Sequence, residues 1–452
     1  MKILIAGTGK VGASVAQQLS AEGYELTLID KNESVLENII EQLDVMSYCG
    51  NCATQTALLS AGVEDADLLI ASTGADEVNL LCCMMAQSLN PNIRTIARIR
   101  DPEYSEQVHI LRDKLNLSLV VNPEQQAARE IERLLKYPGF LKRDSFAKGK
   151  VEIVELKIDS QSPMNGKPLM ELGKITRAKV LVCAVLRTGQ VVVPSGDFVL
   201  QENDRIFVTA PVDNLTALMG GLGIYSRKNK KILICGGGRI SFYLATILNK
   251  QGYKLQLIEK DHDRCLLFSD AIPEMDVICG DATSQALLES EGLDSCDALV
   301  TMTGLDEQNI IISLYGNENK VPQVITKITH LQNSGIIDNL PLGSIISPYE
   351  LCCDTIVSYV RAMKNKTGAA RSVHFIADRQ VQALEFRVEP STLHVDTPLK
   401  DIKTKHDVLI ASITHAGHSV VPAGDSKFRI GDSVIVVATG KDPIYQLNDI
   451  FE

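Results

Sequence analysis

Tryptophan is absent from this chain of 452 residues, and aromatic residues make up only 5% of it. The flat platforms on which nucleic-acid bases stack are therefore scarce. Positive charge is short as well: 45 Lys and Arg stand against 56 Asp and Glu, a formal net charge of −11. Neutralising a phosphate backbone takes clustered cations, so a nucleic-acid partner is excluded on two counts. No apolar run approaches the roughly 20 residues that a membrane-spanning helix needs; the longest clean runs, such as Val180–Leu186, are strand-sized. Ile3–Ala6 gives way at once to a glycine turn, which argues against a signal peptide. The expectation is a cytoplasmic protein that can still dock on a membrane protein. The 11 cysteines are scattered and read as small hydrophobes, not as a disulfide framework. Histidine, the usual acid–base group of a dehydrogenase, is represented in residues 1–122 by His109 alone, in a charged helical stretch.

What is present is an internal repeat in a chain of ordinary globular composition, 45% apolar and 22% charged. Lys2–Lys31 reads KILIAGTGKVGASVAQQLSAEGYELTLIDK and Lys231–Lys260 reads KILICGGGRISFYLATILNKQGYKLQLIEK, with 14 of 30 positions identical and no gap. The match continues from Gly50-Asn51-Cys52-Ala53-Thr54 to Gly280-Asp281-Ala282-Thr283, with one residue inserted in the first copy. It continues again from Thr73-Gly74-Ala75-Asp76-Glu77-Val78-Asn79 to Thr303-Gly304-Leu305-Asp306-Glu307-Gln308-Asn309. Val193-Pro194-Ser195-Gly196-Asp197 matches Val421-Pro422-Ala423-Gly424-Asp425, and Asp204 matches Asp432. The layout is A–B–A′–B′, a duplication of a two-part module.

The A parts alternate strand and helix: strands at Lys2–Ala6, Glu25–Ile29, Asp67–Ser72, Thr95–Ile99 and Leu117–Val121, and a helix over Val11–Leu19. This rhythm predicts a parallel sheet with helices on both faces, an α/β class. Asn122-Pro123-Glu124 starts a further helix, with Asn as cap and Pro in the first turn, and Ser347-Pro348 plays the same part in the second copy. Ala128, Ile131, Leu134 and Leu135 form an apolar stripe that has to bury against something. The B parts read as small α+β modules. Val151–Ile158 and Ile206–Ala210 are strands, and Val180–Leu186 and Gln190–Val193 flank the hairpin turn Arg187-Thr188-Gly189.

The chemistry lies at Gly7-Thr8-Gly9-Lys10-Val11-Gly12, which follows a strand and opens a helix. Gly7 permits the turn, Gly9 lets the backbone approach a pyrophosphate, Gly12 lets helix and strand pack, and the helix N-terminus offers its N–H groups to phosphate. Asp30 ends the next strand, where a carboxylate accepts ribose hydroxyls and repels a 2′-phosphate, favouring NAD or an adenosine nucleotide over NADP. The second copy has Gly236-Gly237-Gly238-Arg239-Ile240-Ser241 and Glu259, so its third glycine is a serine. Asn51, Thr73, Gly74 and Arg98 in the first copy, and Asp281, Thr303 and Lys327 in the second, stand at the ends of later strands, where open α/β sheets bind ligands. No catalytic constellation and no metal site is read from the sequence. Cys49-Gly50-Asn51-Cys52 is a CxxC whose second cysteine is the inserted residue, which favours a buried structural role over redox chemistry. His415-Ala416-Gly417-His418 lies on a predicted hairpin and is expected to be solvated.

Tandem glycine-rich units, each followed by a small module with a V-P-x-G-D hairpin and with T-x-x-D-E-x-N in both halves, resemble the RCK/KTN regulatory subunits of potassium transport, over essentially all 452 residues. The resemblance implies two Rossmann-like RCK-N domains at 1–123 and 230–348 and two RCK-C domains at 143–226 and 371–452. It implies a homo-oligomer, a dimer or tetramer forming a ring, on the cytoplasmic face of the cell membrane beneath a TrkH- or TrkG-type potassium transporter, without catalysis. The cofactor it implies is NAD(H), with ATP or ADP as the alternative. Its first site maps to Gly7–Val11, Asp30, Thr73, Gly74 and Arg98, with Glu124 at a position that in the family helps a nucleotide or cation contact between subunits. The second copy departs from that pattern at Ser241, Lys327 and Tyr349. Two other readings stand beside it: a soluble NAD-dependent oxidoreductase, and a redox sensor built on Cys49 and Cys52.

Overall fold

In the computed structural model, residues 1–147, 149–222, 230–329, 337, 340–364, 370–377, 380–439 and 444–452 are described. The expected end of the first small module at 226 lies outside them, as does the side chain of His109. The first A part forms β1 (Lys2–Ala6), β2 (Glu25–Asp30), β3 (Met46–Cys49), β4 (Leu68–Ala71), β5 (Arg94–Arg98) and β6 (Leu119–Val121). They make one parallel sheet in the order β3-β2-β1-β4-β5-β6. The order reverses between β1 and β4, and the crevice at that switch point is where ligands settle in such sheets. β1 and β4 are central: Ile3, Ile5, Leu68 and Ile70 are buried on one face of the sheet and Leu4, Ala6, Leu69 and Ala71 on the other, which is why both strands read as unbroken apolar runs.

The first B part forms β7 (Lys142–Phe146), β8 (Val151–Lys157), β9 (Leu181–Arg187), β10 (Gln190–Val192) and β11 (Arg205–Pro211), antiparallel in the order β10-β9-β11-β8-β7. The hairpin β9–β10 turns on Thr188 (φ 49°) and Gly189 (φ 78°), the paired positive φ values that match the twist of the flanking strands. The second half repeats both sheets. β12 (Lys231–Cys235), β13 (Lys254–Glu259), β14 (Asp276–Cys279), β15 (Ala298–Thr301), β16 (Gln323–Lys327) and β17 (Ser344–Ile346) take the parallel order β14-β13-β12-β15-β16-β17. β18 (Ala370–Ile376), β19 (Val381–Arg387), β20 (Val408–His415), β21 (His418–Val420) and β22 (Ser433–Ala438) take the antiparallel order β18-β19-β22-β20-β21. The hairpin bearing His415 and His418 is present and both side chains are exposed, as expected; His415 Nδ1 also lies 2.6 Å from the buried Asp432. Asp204, the equivalent of Asp432, likewise holds Arg187 at 2.6 and 2.7 Å.

The chain divides into two compact units that do not follow the halves of the sequence. One comprises Met1–Arg129 and Ser347–Val360, the other Glu130–Ile346 and Arg361–Glu452. The helices that follow the two parallel sheets cause this. Helix Pro123–Lys136 begins with Asn122 accepting from Gln125 N at 2.9 Å. Its C-terminal turns belong to the second unit, where the Leu134 carbonyl accepts from Gln323 Nε2 on β16 at 3.0 Å. Helix Pro348–Lys364 follows the second sheet, yet its first turns belong to the first unit: Cys353 Sγ meets Gln18 Oε1 at 3.3 Å, and Gln126 Nε2 meets Thr355 Oγ1 at 3.3 Å. The stripe Ala128, Ile131, Leu134, Leu135 is thus buried within the chain. Leu134→Glu would place a carboxylate among apolar neighbours. It should destabilise the chain by at least the roughly 2–5 kcal/mol of a buried leucine truncation, read from the denaturant midpoint of the full-length protein.

Candidate functional site

Gly7 sits at φ +89°, and a Cβ there would lie 2.7 Å from Thr73 Cα. Both the left-handed backbone and the close approach of β4 require glycine. Helix Lys10–Ala21 starts directly afterwards, capped at Gly9 with no side-chain hydrogen bond and with no acidic residue in its first turn. Helix Arg239–Lys250 starts the same way at Gly238. By contrast, the helices after β2 and β13 are capped by Asn32 and Asp261. At the two glycine turns the unsatisfied N–H groups and the positive end of the helix dipole are left for an anion. A Cβ at Gly9 would meet nothing within 4 Å, so protein packing does not demand a glycine there; the open space before the turn is what a ligand backbone would use.

The third glycine shows how the two copies differ. A Cβ on Gly12 would lie 2.0 Å from the Gly7 carbonyl oxygen. That carbonyl accepts from Ser72 Oγ at 2.9 Å. In the second copy the residue equivalent to Ser72 is Met302, which has no hydroxyl, and the buried Ser241 donates its own hydroxyl to the Gly236 carbonyl instead. The same acceptor is satisfied from the other side of the turn.

Asp30 is half-buried and engaged with the loop. Its Oδ2 accepts from Thr8 N at 2.7 Å and Thr8 Oγ1 at 2.9 Å, and its Oδ1 accepts from Asn32 N at 3.0 Å. A carboxylate offers about four acceptor positions, and with the Lys31 amide also acting on Asp30 the loop takes up most of its accepting capacity, so a ribose hydroxyl would share an oxygen with the loop. Glu259 is drawn further in: it accepts from Gly237 N and, at 2.8 Å, from Asp261 N, and it is buried. Burial pushes the Asp30 carboxyl up, but the amides of Thr8 and Asn32 and the Thr8 hydroxyl outweigh it and hold the pKa below its ordinary 3.8.

Arg98, at the end of β5, is 8% exposed. Its Nη1 reaches Ser72 O at 3.5 Å, and its buried Nε has no hydrogen-bond partner among the described residues. Burial lowers its pKa, Arg100 adds to this, and Glu124 opposes it. Glu124 Oε2 is also buried, with no hydrogen-bond partner among the described residues. Lys10 Nζ lies 5.5 Å from the centre of the Tyr349 ring, which the second half of the sequence contributes. The first site therefore brings together the glycine turn, Asp30, Arg98 and Glu124. Tyr349, marked in the sequence only as a departure of the second copy from the site pattern, and Arg100, whose guanidinium donates to the Gly74 carbonyl, join them; Arg100 was not singled out, because no motif marks it.

In the second copy a pocket of about 180 Å³ is lined by Gly236, Glu259, Lys260, Arg264, Asp281 and Thr303, among others. Arg239 is exposed. Lys327 donates to the Thr303 carbonyl at 2.5 Å and is committed to the backbone. Asp281 accepts from Thr283 N at 2.9 Å, as Asn51 accepts from Ala53 N at 3.1 Å. The repeated T-x-x-D-E-x-N is largely scaffold. Asn79 Oδ1 accepts from Thr73 N and Oγ1 at 2.8 and 2.7 Å while its Nδ2 holds the Arg98 carbonyl, and Asn309 does the same for Thr303 and Lys327. Thr73 and Thr303 thus shape the site with hydroxyls already engaged. Cys49 is exposed, against the buried role expected for it, whereas Cys52 is buried in the same core as Cys82. Among the described residues no cluster of His, Cys, Asp and Glu could hold a metal.

The family described as "TrkA-N domain" matches residues 3–123 and again 232–348, and the family described as "TrkA-C domain" matches 153–220. The chain is 30% identical over 451 residues to the Trk system potassium uptake protein TrkA homolog of Archaeoglobus fulgidus, covering 100% of both chains. It is 28% identical over 463 residues to the Trk system potassium uptake protein TrkA of Halomonas elongata, covering 100% of this chain and 99% of that one. Among solved structures, the GsuK channel superposes with a TM-score of 0.63 at 18% identity, over 97% of this chain and 77% of that one. The GsuK channel bound to NAD gives 0.61 at 17% identity, with the same coverage. At that identity the likeness is one of fold.

Two predictions follow from this geometry. Gly12→Ala drives a methyl group into the Gly7 carbonyl and should destabilise the first sheet well beyond Ser241→Ala, which removes one hydrogen bond worth about 1 kcal/mol; thermal melts of the two variants would rank them. Because the Asp30 pKa is depressed on folding, its contribution is complete above the unfolded value and lost as pH falls through the folded one. Asp30→Asn should therefore flatten the acid limb of the stability curve below about pH 4, checked by urea melts across that range.

Proposed function

The chain belongs to the TrkA family of Trk-system potassium uptake proteins, and from that premise we propose that it is a peripheral regulatory subunit whose glycine turns bind NAD(H), or ATP or ADP in its place, and bias the gate of a TrkH- or TrkG-type transporter. One observation carries the reading: two helices begin uncapped and free of acidic residues at glycine turns, each beside a carboxylate that ends the neighbouring strand. The residues fit the group, with backbone N–H for pyrophosphate, the Asp30 carboxylate for a ribose hydroxyl, and the unpaired Nε of Arg98 for an anion. The bound nucleotide supplies charge and shape; hydride chemistry plays no part, and membership in a potassium uptake family sets the oxidoreductase reading aside.

Regulation then follows from linkage. A nucleotide shifts a gate only by its difference in affinity for the two gate states, and moving a population from 1:99 to 99:1 takes about 5.5 kcal/mol, which several sites in a ring can supply together. The first site is suited to this because its lining comes from both ends of the sequence, Lys10 and Arg98 from one and Tyr349 from the other. Oligomerisation is supported by apolar side chains left exposed at equivalent places on the helices after β4 and β15: Leu81 is 45% and Ile311 is 59% exposed. Among the described residues no helix is long and apolar enough to cross a membrane, which suits a peripheral subunit.

Asp30→Ala should weaken NAD(H) binding by roughly 1.5–3 kcal/mol, the range for a hydrogen bond to a charged group, measured by calorimetry; an unchanged affinity removes Asp30 from the site. Cells that lack the protein and every other potassium uptake route should grow poorly at limiting potassium. Normal growth there would refute the transport reading.

A further inference from the structure

The two small antiparallel modules meet within the larger unit and share a core, in which Phe146, Ile153 and Phe207 of the first pack with Ile376, Ala383 and Val437 of the second. Strand register makes the modules comparable residue by residue. Phe146 opposes Val151 and Asp144 opposes Ile153 in the first; Ile376 opposes Val381 and His374 opposes Ala383 in the second. Asp144 and His374 therefore occupy the same place in the two copies.

Two hairpin contacts at the joint form a matched pair, while Lys142 Nζ on the Phe375 carbonyl and Ala147 N on Glu385 are made in one direction only among the described residues. Lys150 Nζ donates to the hairpin carbonyl of Gly417 at 2.8 Å, and Gln380, the equivalent of Lys150, donates to the hairpin carbonyl of Gly189, the equivalent of Gly417, at 3.1 Å. Paired contacts of this kind define a pseudo-two-fold axis, and a residue on such an axis meets its own counterpart. The residue found there is Asp144, whose Oδ1 lies 2.9 Å from His374 Nδ1, with side chains 12% and 31% exposed. The Phe146 ring packs on the imidazole at 4.5 Å. Burial pushes the Asp144 carboxyl up, but Lys142, His374 and, from helix Pro123–Lys136, Arg133 together hold it ionised, below its ordinary range.

We propose that Asp144 and His374 are a pairing code, which makes the first small module of this chain join a second module and reject another first module. The hairpin contacts cannot choose, because their acceptors are backbone carbonyls that both modules present. The axis can. Two first modules would set Asp144 against Asp144, two like charges in a half-buried joint. Two second modules would set His374 against His374 with no carboxylate between them. Only the mixed pair places a donor against an acceptor, so specificity comes from penalising the wrong pairs. In a homo-oligomer, where every chain carries both modules, the high effective concentration of tethered partners then closes the joint within a chain. This inference does not depend on any nucleotide.

The test uses the full-length chain at neutral pH. Asp144→His and His374→Asp should each lower the unfolding midpoint by at least about 2–4 °C. The double variant Asp144→His/His374→Asp, which restores a mixed pair with the roles exchanged, should recover most of that loss. A double variant whose loss is the sum of the two singles shows that the residues are not coupled and overturns the proposal.

Discussion

A β-carbon has no room at the turn between the first strand and first helix of either parallel sheet. At Gly7 it would meet the backbone of Thr73 at 2.7 Å, and at Gly236 that of Thr303 at 2.8 Å. From this constraint the rest of the site follows. The turn must stay left-handed, the helix must start abruptly without a capping side chain, and its free N–H groups must point into the crevice where strand order reverses. The strand carboxylates, Asp30 and Glu259, finish the turn by accepting from its amides. They are structural acceptors first and candidate ligand contacts second.

Divergence between the copies is bounded by the same turn. Its carbonyl is buried and needs a donor, because an unmade hydrogen bond costs more than a made one contributes. The first copy supplies the donor from β4 through Ser72 and keeps a glycine opposite; the second supplies it from the helix through Ser241 and carries methionine on the strand side. Glycine-to-serine in the motif and serine-to-methionine across from it are one exchange. Reading the motif alone makes the second copy look damaged, whereas the pair of positions shows a turn held by the same bond. The ligand side diverged more freely: Lys327 is committed to a backbone carbonyl while Arg98 keeps an unpaired nitrogen.

Duplication in one chain also allows asymmetry that two identical subunits could not have. Glu124 and Tyr349 open equivalent helices, and the ring of Tyr349 sits by Lys10 at the first glycine turn. Asp144 faces His374 at the joint of the small modules. Each case puts unlike residues at equivalent positions, giving interactions that a strict two-fold would replace by like against like.

Much of this was legible beforehand for a local reason. Strands buried on both faces, such as Lys2–Ala6, declare themselves as apolar runs, and the glycine turn declares itself because its backbone admits no other residue. The Asn122-Pro123 helix start and the Thr188-Gly189 hairpin are local rules too. Two strands carry no apolar signature: Met46–Cys49 lies at a sheet edge with mostly exposed side chains, and Lys142–Phe146 is polar because Lys142 and Asp144 pair across the module joint while Arg143 and Ser145 bond Glu152 on the next strand. Sequence alone therefore determined the repeat, the fold class and the place of the glycine turns, since each rests on short-range sterics or periodicity. Tertiary structure alone decided which acceptors Asp30 has left, that helix Pro348–Lys364 begins in the unit of the first sheet, and that Asp144 meets His374. The first depends on how the glycine turn folds back on the next strand, and the other two on contacts between residues more than 200 positions apart; no local pattern encodes which group a side chain will meet.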